Sequence, residues 1–194
     1  MPGSSLFQRF LQSANFNSRQ QKLVAKHFSP KVISGKSQLL AEGDVAKEMY
    51  FITQGCLRVY YVAEGVDLSA YFFTEGMFGG LYESFSRQQP SRMHLEALEE
   101  THVMAITYPA LQLLFAKVPP LNAVIRKILE QRLFELHHVM TSHILDSPEQ
   151  RYLHLLQHRP ELITRVPQHQ LATYLGITSV SLSRLRSRLA KRKH

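Results

Sequence analysis

Cysteine is nearly missing from this 194-residue chain: Cys56 stands alone. That excludes an intramolecular disulfide, and it excludes a four-cysteine zinc site or iron–sulfur cluster. Long apolar runs are missing as well. None approaches the ~18 residues that a membrane span needs. The stretch Met1-Pro2-Gly3-Ser4-Ser5-Leu6-Phe7-Gln8-Arg9-Phe10 has no long apolar segment behind a basic head, so no signal peptide is expected. There is no Walker-type phosphate loop, no nucleophile elbow and no evident pair of catalytic acids. An enzyme is therefore not expected, and no residue is assigned a catalytic role. What remains is ordinary for a soluble globular protein: 44% apolar and 20% charged residues, enough to bury a core. A single thiol fits a reduced, cytoplasmic setting.

Charge is unevenly placed. Residues 147–194 hold nine basic residues (Arg151, Arg159, Arg165, Arg184, Arg186, Arg188, Lys191, Arg192 and Lys193) against Glu149 and Glu161, a surplus of +7. Residues 1–146 carry 14 basic and 13 acidic residues, a surplus of +1. A local basic field suits a polyanion such as nucleic acid or anionic lipid. The alternative is a solvated basic tail.

The hydropathy pattern changes twice along the chain. Leu6, Phe10, Leu11 and Ala14 share helical spacing, and Asn17-Ser18 is placed to cap a second helix carrying Leu23 and Phe28. From Pro30 onward, short apolar runs are separated by Gly35, Gly43, Gly55, Gly65 and Gly76, as in strands joined by turns. Residues 57–73 read as a hairpin turning at Glu64-Gly65. Leu57, Val59 and Tyr61 point one way, Arg58 and Tyr60 the other, and Val66, Leu68, Ala70 and Phe72 alternate with polar neighbours. A further strand pair is expected at about 93–98 and 101–107. Many short strands imply a small sandwich or roll. Pro109 opens a short helix through Leu111, Leu114 and Phe115. Pro119-Pro120 opens another that meets no glycine or proline until Pro148. About 27 residues at 1.5 Å rise make roughly 40 Å of helix. Its apolar residues (Leu121, Val124, Ile125, Ile128, Leu129, Leu133, Leu136, Val139, Met140 and Ile144) cover more than one face. One face can pack on the strands and leave another for a second copy of the chain; the alternative buries the helix within one chain. Ser147, Pro148 and Gln150 then form a capping box with proline at the first helical position, marking a domain boundary.

The strongest local motif runs from Gln168 to Leu185. Two amphipathic segments flank Gly176, which can adopt the left-handed conformation that ends a helix, and Thr178 is placed to cap the second segment. Small Ala172 permits close approach. Leu171, Leu175, Ile177, Leu182, Leu185 and Leu189 supply a shared core. This is the helix-turn-helix pattern. With Leu182, Leu185 and Leu189 inward, Val180, Arg184, Ser187 and Lys191 point outward, flanked by Ser183 and Arg188. Arg184 can donate two hydrogen bonds to a guanine edge and Val180 can touch a thymine methyl. Thr178 and Ser179 suit phosphates at the helix start; Lys191, Arg192 and Lys193 suit phosphate neutralisation. His154 and His158 are four apart, a spacing that can hold zinc, but no third ligand is evident, so no metal is expected. His137, His138 and His143 fall on the long helix as interface or surface residues.

The order of strands, long helix and helix-turn-helix resembles the Crp/Fnr family of transcription regulators over nearly the whole chain. Gly35 to Asp44 resembles the entry into that family's β-roll, and Met49 to Tyr60 the next two strands. The resemblance implies an α+β protein with three parts. Residues 1–118 would form an N-terminal antiparallel, jelly-roll-like β-roll with flanking helices, a sensor of cyclic-nucleotide-binding type. Residues 119–146 would form a dimerisation helix, and 147–194 the helix-turn-helix domain. It implies a homodimer, double-stranded DNA and RNA polymerase as partners, and a small-molecule effector in the roll. Cyclic-nucleotide members of the family carry a cassette of Phe, any residue, Gly and Glu, followed later by Arg and Ser or Thr. Here Phe78-Gly79-Gly80-Leu81-Tyr82-Glu83 and Ser91-Arg92 occupy the corresponding stretch. Leu81 replaces the acid that holds the ribose hydroxyl, and Ser91-Arg92 is out of order by one place, which on a strand reverses the face. Gly80, Leu81, Tyr82, Glu83 and Arg92 are the candidate effector residues, and an effector other than cyclic AMP, or none, is expected. Tyr82, Phe85 and Arg92 can equally line a site for another anion. A ligand-binding module that acts through protein contacts rather than DNA is the alternative reading.

Overall fold

A computed structural model describes residues 2–191. Two helices open the chain, α1 (Pro2–Ser13) and α2 (Ser18–Lys26). The cap expected at Asn17 is in place: its side chain accepts from the Gln20 N–H at 2.9 Å, while the Gln20 side chain accepts from the Asn17 N–H at 3.0 Å. The helix ends at Lys26, so Phe28 lies beyond it rather than on it. Its ring packs instead on Phe7 at 4.8 Å between centroids.

Eight strands follow among the described residues: β1 (Ser29–Ile33), β2 (Gln38–Leu40), β3 (Glu48–Gln54), β4 (Leu57–Ala63), β5 (Val66–Phe73), β6 (Phe78–Gly79), β7 (His94–Ala97) and β8 (Thr101–Thr107), with α3 (Tyr82–Arg87) between β6 and β7. They build two four-stranded sheets, ordered β1-β8-β3-β6 and β2-β7-β4-β5. The hairpin expected over 57–73 is present as β4 and β5. The strands expected near 93–98 and 101–107 are present too, but they do not pair with each other. β7 pairs with β2 and β4, while β8 pairs antiparallel with β1 and β3. The chain changes sheets between them, because β8 finds a longer partner in β3 than the short β7 offers.

Helices complete the chain: α4 (Tyr108–Lys117), α5 (Pro119–Leu145), α6 (Pro148–His158), α7 (Pro160–Arg165), α8 (Gln168–Tyr174) and α9 (Ser179–Lys191). Each expected start is realised. Pro109 lies in the first turn of α4, and α5 begins at Pro119 and runs 27 residues. Ser147 and Gln150 exchange the two bonds of a capping box ahead of α6.

The contacts divide the chain into two compact units, one of residues 1–61 and 71–129, the other of residues 62–70 and 130–194. The first has an aromatic centre. Phe51 packs on Phe7 at 5.4 Å and on Phe78 at 5.0 Å, and Phe10 meets Phe78 edge-on at 5.2 Å. Such pairs add ~0.5–1.5 kcal/mol each beyond area burial. Ile52, Leu57, Phe72, Phe85 and Leu114 extend this core. The alternation read at the hairpin is not a simple division of inside from outside. Leu57, Arg58, Val59 and Tyr60 are all buried, whereas Tyr61, Val62, Val66 and Leu68 are exposed toward the turn.

On the long helix, Leu121 is the buried residue. Leu133 is 65% exposed and Ile144 72% exposed, and Leu136 and Met140 on the same stripe are exposed as well, as are Phe134 and Leu145. A helix presenting such a face to water is incompletely buried by its own chain. No helix of the described residues is long and apolar enough to cross a membrane.

Candidate nucleic-acid interface

The interface is built on α8 and α9. Gly176 has φ +67°, and a Cβ there would lie 3.2 Å from the His143 ring. Both the left-handed backbone and the close approach therefore select glycine. Thr178 Oγ1 accepts from the Ser181 N–H at 3.1 Å and caps α9. Leu171, Ala172, Leu175, Leu182 and Leu185 are buried, and Ile177 and Leu189 half-buried. With that side of α9 occupied, Val180, Ser183, Arg184, Ser187, Arg188 and Lys191 are exposed, as is Thr178, while Ser179 is half-buried. Arg192 and Lys193 lie outside the described residues.

The face is grooved and its charges are not all alike. Arg184 and Arg188 line two adjoining grooves. One, of about 410 Å³, is shared with Ser147, Glu149 and Ser181; the other, of about 480 Å³, is shared with Ser183, Ser187 and Lys191. The Ser187 hydroxyl donates back to the Ser183 carbonyl at 3.1 Å. Arg188 is ion-paired with Glu149 of α6. Arg186, one turn from Leu182 and Leu189, lies over the Tyr152 ring at 5.7 Å.

Sequence reading missed the residues that hold this motif in place. Arg151 donates from Nε to the Leu175 carbonyl at 3.0 Å and from Nη1 to the Asp146 carbonyl at 2.6 Å, with a longer approach of 3.4 Å to the Ser142 carbonyl. One guanidinium thus joins the end of α5 to the turn between α8 and α9. His143 Nε2 donates to the Tyr174 carbonyl at 3.2 Å beside it. At residues 62–70, the Ser69 N–H donates to Thr173 Oγ1 at 3.2 Å, and the two hydroxyls are 3.1 Å apart. Arg151 counts as bulk charge in composition; a clue was its position just after a capping box, where its side chain lies near the preceding helix end.

Of the five candidate effector residues, Gly80 and Leu81 are buried, and the other three lie at the surface. Leu81 is only 2% exposed and precedes α3 without a side-chain cap. Gly80 has φ +138°, and a Cβ there would meet the Met49 sulfur at 2.7 Å. Tyr82, Glu83 and Arg92 are exposed, and Glu83 pairs with Arg87 at 3.6 Å. Ser91 is buried and tied locally: its N–H donates to the Asp44 carbonyl and its hydroxyl to the Met93 carbonyl. The charged group inside this unit is one the sequence did not single out. Arg58, with no exposed side-chain surface, pairs with Glu96 at 2.8 Å and lies 4.3 Å from the Tyr60 ring centroid, and Tyr60 stacks on His94 at 4.8 Å. The strand register sets these residues opposite each other, Arg58 with Glu96 and Tyr60 with His94.

The imidazoles of His154 and His158 stack at 4.1 Å, and His158 Nδ1 donates to the His154 carbonyl at 2.9 Å. Among the described residues no group of three or more side chains is arranged to hold a metal ion.

Residues 31–118 match the cyclic nucleotide-binding domain family. No curated protein matches the chain. Among solved structures, the fold is similar to the c-di-GMP-responsive global regulator CLP of Xanthomonas campestris, at 19% identity and TM-score 0.71, over 91% of this chain and 93% of that one. It is similar to FixK2 of Bradyrhizobium japonicum at 17% identity and TM-score 0.72, over 86% of each chain. The catabolite activator protein of Thermus thermophilus is similar at 17% identity and TM-score 0.57, over 92% of this chain and 86% of that one.

Proposed function

From a chain with the fold of Crp/Fnr-type transcription regulators, we propose a sequence-specific DNA-binding regulator that acts as a homodimer and answers to an effector other than cyclic AMP, or to none. The observation that carries this reading is the outward face of α9. Arg184, Ser183, Ser187 and Lys191 are exposed along one side of a helix whose other side is buried, in a segment with a surplus of +7. The first half of such a helix enters the major groove, where Arg184 can pair with a guanine edge. The dimer reading is supported by the stripe Leu133, Leu136, Met140 and Ile144, which two-fold pairing would cover. The disfavoured ligand is supported by buried, apolar Leu81 at the ribose-binding position: a hydroxyl placed against it would lose a partner worth ~1–3 kcal/mol.

Selection from a random duplex library tests the reading. It should enrich inverted repeats with half-site centres ~34 Å apart, one helical turn. Arg184→Ala should cost ~1–3 kcal/mol on the selected site and relax the preference at one base pair per half-site. A library without an enriched palindrome, together with Arg184→Ala binding as well as wild type, would favour a module that works through protein contacts.

A further inference from the structure

The basic face of α9 carries an acid at its edge. Glu149 and Glu161 are the acidic residues of segment 147–194. Glu161 pairs with Arg159 at 3.3 Å, whereas Glu149 pairs with Arg188 and lines the same groove as Arg184 and Ser181. Glu149 is well fixed. It sits in the first turn of α6, behind the Ser147–Gln150 capping box, where the helix dipole favours a negative charge. Its side chain is 24% exposed, against 55% for its arginine partner. Arg188 is one turn beyond Arg184 and borders both grooves, so it is placed to meet a phosphate, yet its charge is already answered from within the fold.

We propose that Glu149 is a positioning residue that acts as an electrostatic brake: it holds Arg188 against α6 and withholds one backbone contact from any duplex that α9 engages. This rests on the DNA-binding reading above. A phosphate approaching Arg188 has to displace or share the Glu149 carboxylate. Sequence-independent affinity is thereby kept low, while Arg184, which is not ion-paired with Glu149, keeps its own contact to the bases.

Glu149→Gln, which preserves shape, tests this by fluorescence anisotropy on the selected duplex and on a scrambled one across a salt series. One regained phosphate contact per protomer steepens the log–log salt slope by about 0.9 per protomer, and it tightens both duplexes by a similar factor of about three to ten per protomer near physiological salt. The decisive arm is the same change in an Arg188→Gln background, where neither the affinity nor the slope should respond. Equal tightening in both backgrounds would overturn the proposal, since Glu149 would then act only as a nearby charge. Weaker binding by Glu149→Gln would overturn it too, by showing that the pair supports binding. Thermal melts of all four proteins separate a folding defect from a binding effect. If wild type binds with a clear salt slope but Glu149→Gln leaves it unchanged, the brake fails alone. If wild type binds no duplex, the DNA reading itself fails and takes the brake with it.

Discussion

Arg151→Met should loosen the C-terminal unit without touching the outward face of α9. The last carbonyls of a helix lack partners within it, and Arg151 donates to the Asp146 carbonyl just past the end of α5 while also holding the Leu175 carbonyl. Its position adds a cation at a helix C-terminus, where the dipole favours one. Two of its bonds, at 2.6 and 3.0 Å, are close contacts, and the 3.4 Å approach to Ser142 adds little. Deleting a charge-assisted bond costs about 1.5–3 kcal/mol. Arg151 is only half-buried, so water replaces part of what is lost, and methionine keeps most of the volume. The expected loss is about 2–3 kcal/mol for the pair of bonds. At ~1.36 kcal/mol per tenfold, amides of α8 and α9 that exchange through opening of this unit should speed up by about 30- to 150-fold in hydrogen-exchange mass spectrometry. Amides of β3 and β8 should not change. Arg151→Lys should fall between, since an ammonium cannot reproduce the fork. On DNA, the variant should bind more weakly at an unchanged salt slope. Unchanged exchange combined with a slope shallower by about one per protomer would refute the argument, because it would make Arg151 a phosphate contact.

Three further expectations follow from single observations. Met140→Glu and Leu136→Glu place a charge on the exposed stripe of α5 and should give a monomer by light scattering at micromolar concentration; an intact dimer from both would place the interface elsewhere. Calorimetry with cyclic AMP should find no binding at micromolar concentration, and micromolar or tighter affinity would overturn the reading of Leu81. The third concerns acid. Partial burial holds the His154 imidazole below its ordinary 6.5, helped by His158 and His138 and opposed by Asp146. Folding therefore favours the neutral ring, and the unfolded chain takes up the proton first. Stability is full above pH 6.5 and falls below it, until the folded ring is protonated as well. The melting midpoint should drop from pH 7 to pH 5, and less so in His154→Gln. A His154 titration midpoint above 6.5 by NMR would contradict this.

Helix boundaries were legible in the sequence because they are written in local chemistry. Asn17 with Gln20, Ser147 with Gln150, and Thr178 each satisfy N–H groups a few residues away, so their spacing suffices. Strand pairing was not legible in the same way. Neighbouring strands usually pair, but Leu98, Glu99 and Glu100 carry the chain from one sheet to the other, and only the tertiary competition for β8 decides that. The outward face of α9 could be read because one helical wheel settles it. The Arg58–Glu96 pair could not, because it needs the register between β4 and β7, 38 residues apart. Arg151 was hidden for a related reason: its partners are backbone carbonyls, which leave no mark on composition.

The same point limits what the surplus of +7 can do at a duplex. Of the nine basic residues in 147–194, Arg151 is bound to carbonyls and Arg186 lies on Tyr152. Arg159 is paired with Glu161 and Arg188 with Glu149. Arg165 is engaged within the fold as well. Arg184 and Lys191 have their side chains on the outward face, and Arg192 and Lys193 follow them in sequence. If every basic residue met a phosphate, a dimer would show a log–log salt slope of about −16; with these four per protomer the limit is about −7. We expect a measured slope no steeper than about −7, made shallower by about one per protomer in Lys191→Ala, whose effect should be the same on every duplex. A slope well beyond −7 would mean that Arg151, Arg159 or Arg188 leaves its partner when DNA binds, and exchange rates in α6 measured on the complex would show which one.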